Sequence, residues 1–316
     1  MLAKLTRDEA GITLVLVALL LVALLGAAAL AVDIGRLYLE RQHLVNSCDA
    51  AALAGGIELP DQAVATTKAG QAAAANAMPT YQVSFPSTDK LRVDGQEVVQ
   101  YGFARVLGYQ EREVSAYAVV QRTPGVKSTS GVVVPWGIPY TAYQQGEEIL
   151  LKVGSTGQSD PGDPEGTGGN FYPLALERSL GDGSSGGAVY TEDIRYGFQG
   201  EIEVGDVVST EPGNMVGPTR QAVVTDADSL FHRAEQEPWA SQTPETATYG
   251  NPRVVIVPIV TTLGSGRDEV TILGFAAFYI TAATGQTVTG YFIEYTIPSG
   301  TPGGPDYGVS VLRLVE

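Results

Sequence analysis

Residues 11–56 read GITLVLVALLLVALLGAAALAVDIGRLYLERQHLVNSCDAAALAGG, and this stretch decides how the chain is organised. Its first part, residues 11–32, contains 22 residues without a charged side chain. A helix of that length rises about 33 Å, which matches a bilayer hydrocarbon core of roughly 30 Å. Because buried helices of soluble proteins rarely run this long without a charge, the segment is predicted to be a transmembrane helix.

Two kinds of N-terminal processing compete with an uncleaved anchor. Lys4 and Arg7 precede the apolar run, and Ala29–Ala31 match the small-residue pattern of a signal-peptide cleavage site. The apolar run is longer, however, than the usual signal-peptide core of about 7–15 residues. The residues after Gly11 also resemble the start of type IV pilins, but Leu16 stands where a pilin normally has glutamate. An uncleaved anchor is therefore the favoured prediction.

The orientation of the chain follows from what lies on each side of the apolar run. Basic residues flank the run on both sides, so the positive-inside bias alone does not decide. The long acidic remainder has no second apolar run of 18 residues. We therefore expect residues 1–10 to be cytoplasmic, residues 11–32 to make a single pass through the cell membrane, and the C-terminal region to be extracytoplasmic, at the cell surface or in a filament.

The charge of the chain limits its partners. It has 19 basic and 35 acidic side chains, and residues 57–316 hold 15 of the former and 30 of the latter. Such a surface repels phosphate backbones, so nucleic acid is not expected as a partner. An acid excess of this kind keeps an exported domain soluble. The single cysteine, Cys48, excludes an intramolecular disulfide and a cysteine-based zinc site.

The helix is predicted to continue past the membrane as a stalk over residues 33–56. Apolar or small side chains recur along it every three or four positions, and Gly55 and Gly56 supply a stop signal. Small residues permit close approach of another helix. The resulting stripe is predicted to contact either a partner helix, which includes self-association with a second copy, or the chain's own domain. This helix-packing stripe comprises Ile34, Leu37, Arg41, Leu44, Cys48 and Ala52.

Two groups of motifs resemble one known family. AVDIGRLY at residues 31–38, followed by Asn46 and by DAAALAG at residues 49–55, resembles the N-terminal segment of TadG-like proteins. These belong to the TadE/TadG group of the tight-adherence (Flp) pilus assembly machinery. FARVLG at residues 103–108 and VSAYA at residues 114–118 are similar to the segment that follows in such proteins. The resemblance covers roughly residues 8–122.

The resemblance implies a function and a set of partners. It implies a membrane-anchored, exported structural or interaction protein of a Tad/Flp-type pilus system, acting in pilus assembly or surface attachment. The implied partners are the lipid bilayer and pilus-assembly or pilin-like membrane proteins, and neither a cofactor nor an enzymatic activity is implied. An alternative is that the chain is itself the subunit of a pilus-like filament whose core is formed by the N-terminal helices.

Downstream of the stalk, the composition predicts an α+β fold. Residues 57–122 are predicted to form a small α+β module that begins with an alanine-rich helix over residues 62–77. Residues 123–131, rich in Gly, Ser and Thr, are predicted to be a linker. The chain thus changes from helical to strand-rich patterning soon after residue 78.

Residues 132–316 are predicted to form a mainly antiparallel β-sandwich or a barrel-like domain. Short strand-like runs alternate with Gly- and Pro-rich turns through this region, and residues 188–194 are among the predicted strands. Residues 270–280, VTILGFAAFYI, are nearly all apolar, which predicts a central strand buried on both faces.

A serine-hydrolase motif is present by pattern alone. Residues 183–187 satisfy G-x-S-x-G, with Ser185 as the candidate nucleophile and His232 as the candidate base. Such an elbow needs a strand before it and a helix after it, and the sequence predicts neither. An envelope hydrolase is therefore only a remote alternative.

An acidic loop is a weak candidate for calcium. Asp160, Asp163 and Glu165 supply carboxylate oxygens, which are the ligands that Ca²⁺ prefers. Their order does not fit an EF-hand, and Pro161 and Pro164 restrict how the loop wraps. A solvated loop is the favoured interpretation.

Overall fold

The computed structural model describes residues 9–152, 171–211, 215–262, 269–284 and 287–315. The fold is α+β, as predicted: a long apolar helix precedes a mixed region with several sheets, one of which curls into a half-barrel. The chain divides into two compact units, the first comprising residues 1–120 with 314–316 and the second comprising residues 121–313.

The first unit begins with one uninterrupted helix, which ends at the predicted glycine pair. Its 48 residues correspond to a length of about 72 Å. A shorter helix, strands and a 3-10 helix follow along the chain. The elements are α1 (Glu9–Gly56), α2 (Gln62–Ala75), β1 (Thr80–Ser87), β2 (Lys90–Gln100), the 3-10 helix (Ala104–Leu107) and β3 (Glu111–Pro124).

Helix α2 confirms the predicted alanine-rich helix and packs closely on α1. Asp61 caps its start, because the carboxylate Oδ1 accepts hydrogen bonds from the backbone N–H groups of Ala63 and Val64 at 3.0 and 3.1 Å. One face of α2 is fully buried and consists only of alanine: Ala65, Ala69 and Ala73. At the other side of this contact, a Cβ on Gly55 would lie 2.7 Å from the carbonyl oxygen of Ala65. The two helices therefore approach each other through small side chains.

Strands β1, β2 and β3 lie side by side, and β2 crosses α1. The inward positions of β2 alternate along the strand, as expected for a sheet with one covered face. At the crossing point, a Cβ on Gly95 would lie 2.8 Å from the sulfur of Cys48 and 3.0 Å from Leu44 Cδ1. Glycine at this position lets the strand backbone rest directly on the helix.

The second unit is built around β11, which is buried along most of its length, as its apolar sequence predicted. β11 pairs antiparallel with β10 and β12, and β10 pairs parallel with β5. The elements are β4 (Val126–Ser130), β5 (Trp136–Pro139), β6 (Glu148–Lys152), β7 (Tyr172–Pro173), α3 (Leu176–Leu180), α4 (Gly187–Tyr196), β8 (Glu201–Glu203), β9 (Val207–Ser209), α5 (Val216–Arg220), α6 (Leu230–Ala234), β10 (Val254–Val260), β11 (Glu269–Ala283), β12 (Thr287–Ile293), β13 (Tyr295–Ile297), β14 (Thr301–Pro302) and β15 (Val309–Leu314).

Two sequence predictions about this region are wrong. The predicted linker over residues 123–131 forms the end of β3 and all of β4, where Ser128 and Thr129 are buried and pair with β8. The polar composition of this segment favoured a loop, but the backbone from Ser128 to Ser130 pairs with β8, so the segment forms a strand. The predicted strand over residues 188–194 is the helix α4, because Tyr190 and Ile194 recur at helical spacing and both face the core.

Candidate functional site

The first candidate surface is the apolar half of α1. From residue 13 to residue 32 its side chains are exposed, except for half-buried Ala29. Within the described residues, this is the helix that is long and apolar enough to cross a membrane, although a signal sequence near an N-terminus has the same properties. A continuous surface of exposed leucine and valine does not persist in water, since monomeric soluble proteins rarely expose apolar patches beyond a few hundred Å².

The predicted helix-packing stripe divides into two parts. Leu44, Cys48 and Ala52 are buried against the rest of the first unit. Ile34 is 57% exposed, Arg41 is also exposed, and Leu37 between them is half-buried. The structure therefore brings the C-terminal part of the stripe into the chain's own core and leaves the part nearest the apolar segment accessible.

Cys48 lies at the centre of the buried part. Its thiol donates to the carbonyl oxygen of Ala116 at 3.6 Å, and the side chain is fully buried. Burial, with smaller contributions from the charges of Asp49 and Asp94, raises the pKa of the Cys48 thiol to about 11. A buried thiol that stays protonated reacts slowly, so Cys48 acts here as a small packing residue.

Asp33 lies within the AVDIGRLY motif at residues 31–38, but neither spacing nor composition singles it out. It directly follows the apolar segment and is only 2% exposed. Oδ1 accepts from the backbone N–H of Gly102 at 2.8 Å, and Oδ2 accepts from the N–H groups of Phe103 and Ala104 at 3.0 and 2.6 Å. These N–H groups lie at the start of the 3-10 helix, where a helix leaves its donors without internal partners.

The hydrogen bonds keep the Asp33 carboxylate charged. Burial acts to raise its pKa, but the backbone N–H groups of Ala104, Gly102 and Phe103, helped by the charge of Arg36, outweigh burial and lower the pKa. The local signal for this contact was a lone carboxylate after the apolar run and a glycine before FARVLG. The two lie 69 residues apart in sequence, so their pairing was not visible from either motif alone.

The residues of the serine-hydrolase motif do not form the elbow that such an enzyme needs. Contrary to the sequence prediction, a helix does follow Ser185, since α4 starts at Gly187. The element before Ser185 is the helix α3, however, and not a strand. His232 lies in α6, where its Nδ1 is 3.4 Å from the hydroxyl of Ser229, the residue that caps the same helix.

Carboxylates also gather between α3 and α4. Burial, followed by the charges of Glu177, Glu211, Glu192 and Asp182, raises the pKa of Asp193 to about 7. Glu211 is 2% exposed, and its Oε1 accepts from the backbone N–H of Gly186 at 3.1 Å. Among the described residues, no group of three or more His, Cys, Asp or Glu side chains is placed to hold a metal ion. The calcium candidates Asp160, Asp163 and Glu165 lie outside the described residues.

A small cavity lies in the second unit, between α4, α6 and the start of β10. Its volume is about 190 Å³, below the roughly 300–1,000 Å³ that is usual for pockets binding small molecules. Arg195 and Arg233 line it. The guanidinium of Arg195 pairs with Asp226, Asp228 and Glu192, and that of Arg233 donates to the backbone carbonyl oxygen of Arg195. Both arginines therefore have partners within the protein, and the volume of the cavity is small for a ligand.

Comparison with known proteins gives one result. Residues 11–76 match the Tad family model, which describes TadE/G-like proteins of Flp pilus assembly. Searches of curated proteins and of solved structures gave no match. The matched segment contains the apolar half of α1, the stalk and α2, and it ends at Asn76, which caps α2. The second motif group, at residues 103–118, lies beyond it. The helical N-terminal part of the chain, residues 11–76, is thus similar to the Tad domain of TadE/G-like proteins of Flp pilus assembly.

Proposed function

We propose that the chain is a single-pass membrane protein that serves a Tad/Flp-type pilus system as an exported structural or interaction protein. Residues 11–32 cross the cell membrane, residues 1–10 remain cytoplasmic, and the folded units lie outside. The protein acts in pilus assembly or surface attachment through contacts with other membrane proteins of that system. It needs no cofactor and performs no catalysis in this role.

The observation that carries the proposal is the continuity of α1. One helix joins the exposed apolar segment to the alanine-rich core of the first unit without a break at any residue. A buried aspartate, Asp33, starts the folded part immediately after the last apolar residue, Val32. Such a helix suits a permanent anchor, because the folded part begins within one residue of the membrane segment and leaves no flexible spacer.

The continuity also supports an uncleaved chain over a signal peptide. Loss of the chain through Ala31 would leave Asp33 as the second residue of the product. The end of the helix would then lie at Asp33, whose carboxylate three backbone N–H groups hold in the uncut chain. Because helix ends fray, a continuous helix fixes Asp33 in this position better than a helix that begins there.

The first experiment is to fractionate cells that make the native protein and to measure its intact mass. An uncut chain in the membrane fraction, resistant to high-salt and alkaline washing, is expected. A soluble product lacking residues 1–31 would contradict the proposal. A product cut after Gly11 and recovered in sheared surface fibres would replace it with the filament-subunit alternative.

One observation favours self-association through α1 and so keeps the filament alternative testable. Beyond the apolar segment, Tyr38 and Leu39 are each 68% exposed. They extend the accessible apolar surface about 10 Å past residue 32, at 1.5 Å per residue. Replacing Leu39 with cysteine in the native membrane and oxidising mildly tests the contact. A covalent dimer supports helix pairing between copies, and a chain that remains monomeric counts against it.

A further inference from the structure

The segment from Gly102 to Gln110 is fastened to the end of the apolar helix. Its first backbone N–H groups all donate to the carboxylate of Asp33, at distances between 2.6 and 3.2 Å. A Cβ on Gly102 would lie 3.0 Å from Asp33 Oδ1, so the backbone approaches the carboxylate closely because residue 102 has no side chain. The position of this segment along the axis of the apolar helix is therefore set by the position of residue 33.

Residue 33 lies at the surface of the bilayer if residues 11–32 cross the bilayer as proposed above. The present inference rests on that proposed span. Asp33 follows Val32 directly, and one helical residue rises only about 1.5 Å. The segment is consequently held at the boundary between hydrocarbon and lipid headgroups on the exported side of the membrane.

Large apolar side chains project from this segment. Val106 is 88% exposed, Tyr109 is 66% exposed and Phe103 is 53% exposed. Exposed apolar residues occur singly on most proteins, but three within seven positions form a patch. Aromatic residues such as Phe103 and Tyr109 favour the membrane interface, where the ring contacts acyl chains and the tyrosine hydroxyl stays hydrated.

Most of the backbone N–H groups of the segment have hydrogen-bond acceptors within the protein, which suits an environment with little water. Asp33 satisfies the N–H groups that begin the 3-10 helix. Further along, the N–H groups of Val106, Gly108 and Tyr109 donate to the carbonyl oxygens of Phe103, Arg105 and Ala104. Because unsatisfied backbone groups are costly near hydrocarbon, this pairing lowers the free energy of contact with lipid.

The charge of the segment also differs from that of the remaining exported chain. Residues 102–110 contain Arg105 and no acidic residue, whereas the exported region as a whole is strongly acidic. Arg105 is exposed, and its long side chain reaches headgroups while its methylene groups remain in apolar surroundings. An anionic or zwitterionic lipid surface is therefore compatible with this segment and not with most of the acidic surface.

We propose that residues 103–109 insert into the lipid–water interface on the exported side of the membrane and form a second membrane contact beside the transmembrane helix. Asp33 positions this contact by holding the backbone at residues 102–104. The contact restrains how the first unit tilts and rotates on the bilayer surface, which a single helix alone does not.

The test uses the full-length chain in vesicles of phosphatidylcholine and phosphatidylglycerol. Single cysteines replace Val106, Val64 or Leu21, and each is labelled with an environment-sensitive fluorophore. Val64 is the matched control: it is an exposed valine of the same unit, in α2, whose neighbour Ala65 packs against the far end of α1 at Gly55. The unsubstituted chain controls for labelling of Cys48, which is buried.

Quenching by lipids brominated on their acyl chains and by aqueous iodide gives distinct outcomes. The inference expects the Val106→Cys probe to be quenched several times more by brominated lipid than the Val64→Cys probe, and to be protected from iodide. If iodide quenches the Val106→Cys probe while brominated lipid quenches the Leu21→Cys probe, the second membrane contact is contradicted and the proposed transmembrane span is supported. If brominated lipid does not quench the Leu21→Cys probe either, the proposed span is contradicted as well. Protection of Val106→Cys from both quenchers would mean that a protein covers the segment, which also overturns the inference.

The positioning role of Asp33 has its own readout. In a chain carrying Asp33→Asn together with Val106→Cys, the amide offers one acceptor oxygen where the carboxylate offered two. Lipid quenching of the Val106 probe is expected to fall, while quenching of a Leu21 probe in the same background stays unchanged. Equal quenching of the Val106 probe with and without the Asp33→Asn substitution would contradict this role.

Discussion

Along α1, residues 13–32 present exposed leucine, valine and alanine side chains, whereas residues 44–56 bury their inward side chains in the first unit. Both parts are helical, so helix formation alone does not separate them. Their side chains do: the exposed part is rich in leucine and free of charge, whereas the buried part contains Asn46 and Asp49, is rich in alanine and ends in glycine.

This difference teaches what each half can contact. Small side chains at Ala51, Ala52 and Gly55 let α2 approach closely and fill the contact with backbone. Leucine side chains prevent such an approach but offer a large surface to a fluid environment that adapts to their shape. The first half therefore suits acyl chains, and the second suits a fixed protein neighbour.

The largest expected loss of stability comes from a substitution in the buried half of α1. Leu44→Ala removes a side chain that is 1% exposed and leaves a cavity beneath β2. The free energy of unfolding of the detergent-solubilised chain should fall by about 2–5 kcal/mol, measured by urea denaturation. Leu39→Ala, at a 68% exposed position of the same helix, is the matched control and should change it by no more than about 0.5 kcal/mol. Similar losses for both variants would contradict the division of α1.

A pair of identical substitutions sharpens the comparison. Gly55→Ala places a Cβ 2.7 Å from the carbonyl oxygen of Ala65, which forces the two helices apart and should cost about 1–3 kcal/mol. Gly35→Ala meets no atom within 4 Å and should stabilise α1 by about 0.5–1 kcal/mol, since alanine favours helix. Opposite shifts in melting temperature are the expected result. Shifts of the same sign would mean that the contact between α1 and α2 is loose.

The N-terminal cap of α2 tests how much of the packed half depends on local capping. Asp61→Ala removes the acceptor of two backbone N–H groups and should lower the free energy of unfolding by about 1 kcal/mol. Asp61→Asn retains a capping oxygen and should restore most of that loss. Thermal melts followed by circular dichroism are sufficient for this measurement. An unchanged Asp61→Ala variant would show that α2 is held by its alanine face alone.

A pH-dependent effect is expected at Asp33, at the junction of the two halves. Its pKa is lowered in the folded chain, so its charge contributes stability above the ordinary pKa range of aspartate, and this contribution is lost as the pH falls through the lowered value. Asp33→Asn should be less stable than the native chain at pH 7, and the gap should narrow in acid. A gap independent of pH would show that the charge of Asp33 is not what holds the loop.

Asp193 in the second unit provides the reverse case. Burial and neighbouring carboxylates raise its pKa to about 7, so it contributes stability that is complete below the ordinary aspartate pKa and is lost as the pH rises through about 7. Asp193→Asn should therefore match the native chain near pH 4 and exceed it at pH 8. Denaturation midpoints measured across this range decide the point, and a constant difference would contradict it.

Local patterns predicted the parts of the fold that depend on neighbouring residues. The charge-free run predicted the apolar part of α1, and the glycine pair at residues 55–56 predicted where α1 ends. The apolar run at residues 270–280 predicted the buried strand β11. The short helix α4 was missed because Val189, Tyr190, Thr191 and Ile194 favour strands by composition. Tertiary packing of Tyr190 and Ile194 on one face overrides that preference.

The candidate site was only partly predictable, for a related reason. The stripe along α1 followed from spacing, yet spacing does not tell which of its positions a chain covers with its own strands. The burial of Leu44 and Cys48 depends on Gly95, which is distant in sequence and allows β2 to cross the helix. The hydrogen bonds between Asp33 and residues 102–104 are likewise non-local, so each partner looked ordinary in its own segment.

The unbroken course of α1 has a mechanical consequence. A pull or a twist applied to the apolar end travels through one series of backbone hydrogen bonds to Gly56, with no loop along the way that could stretch or rotate first. Part of the force passes at Asp33 to residues 102–104, through the hydrogen bonds that their backbone N–H groups donate to its carboxylate. A displacement of residues 13–32 is therefore transmitted to the packed part of α1 without a flexible joint between them.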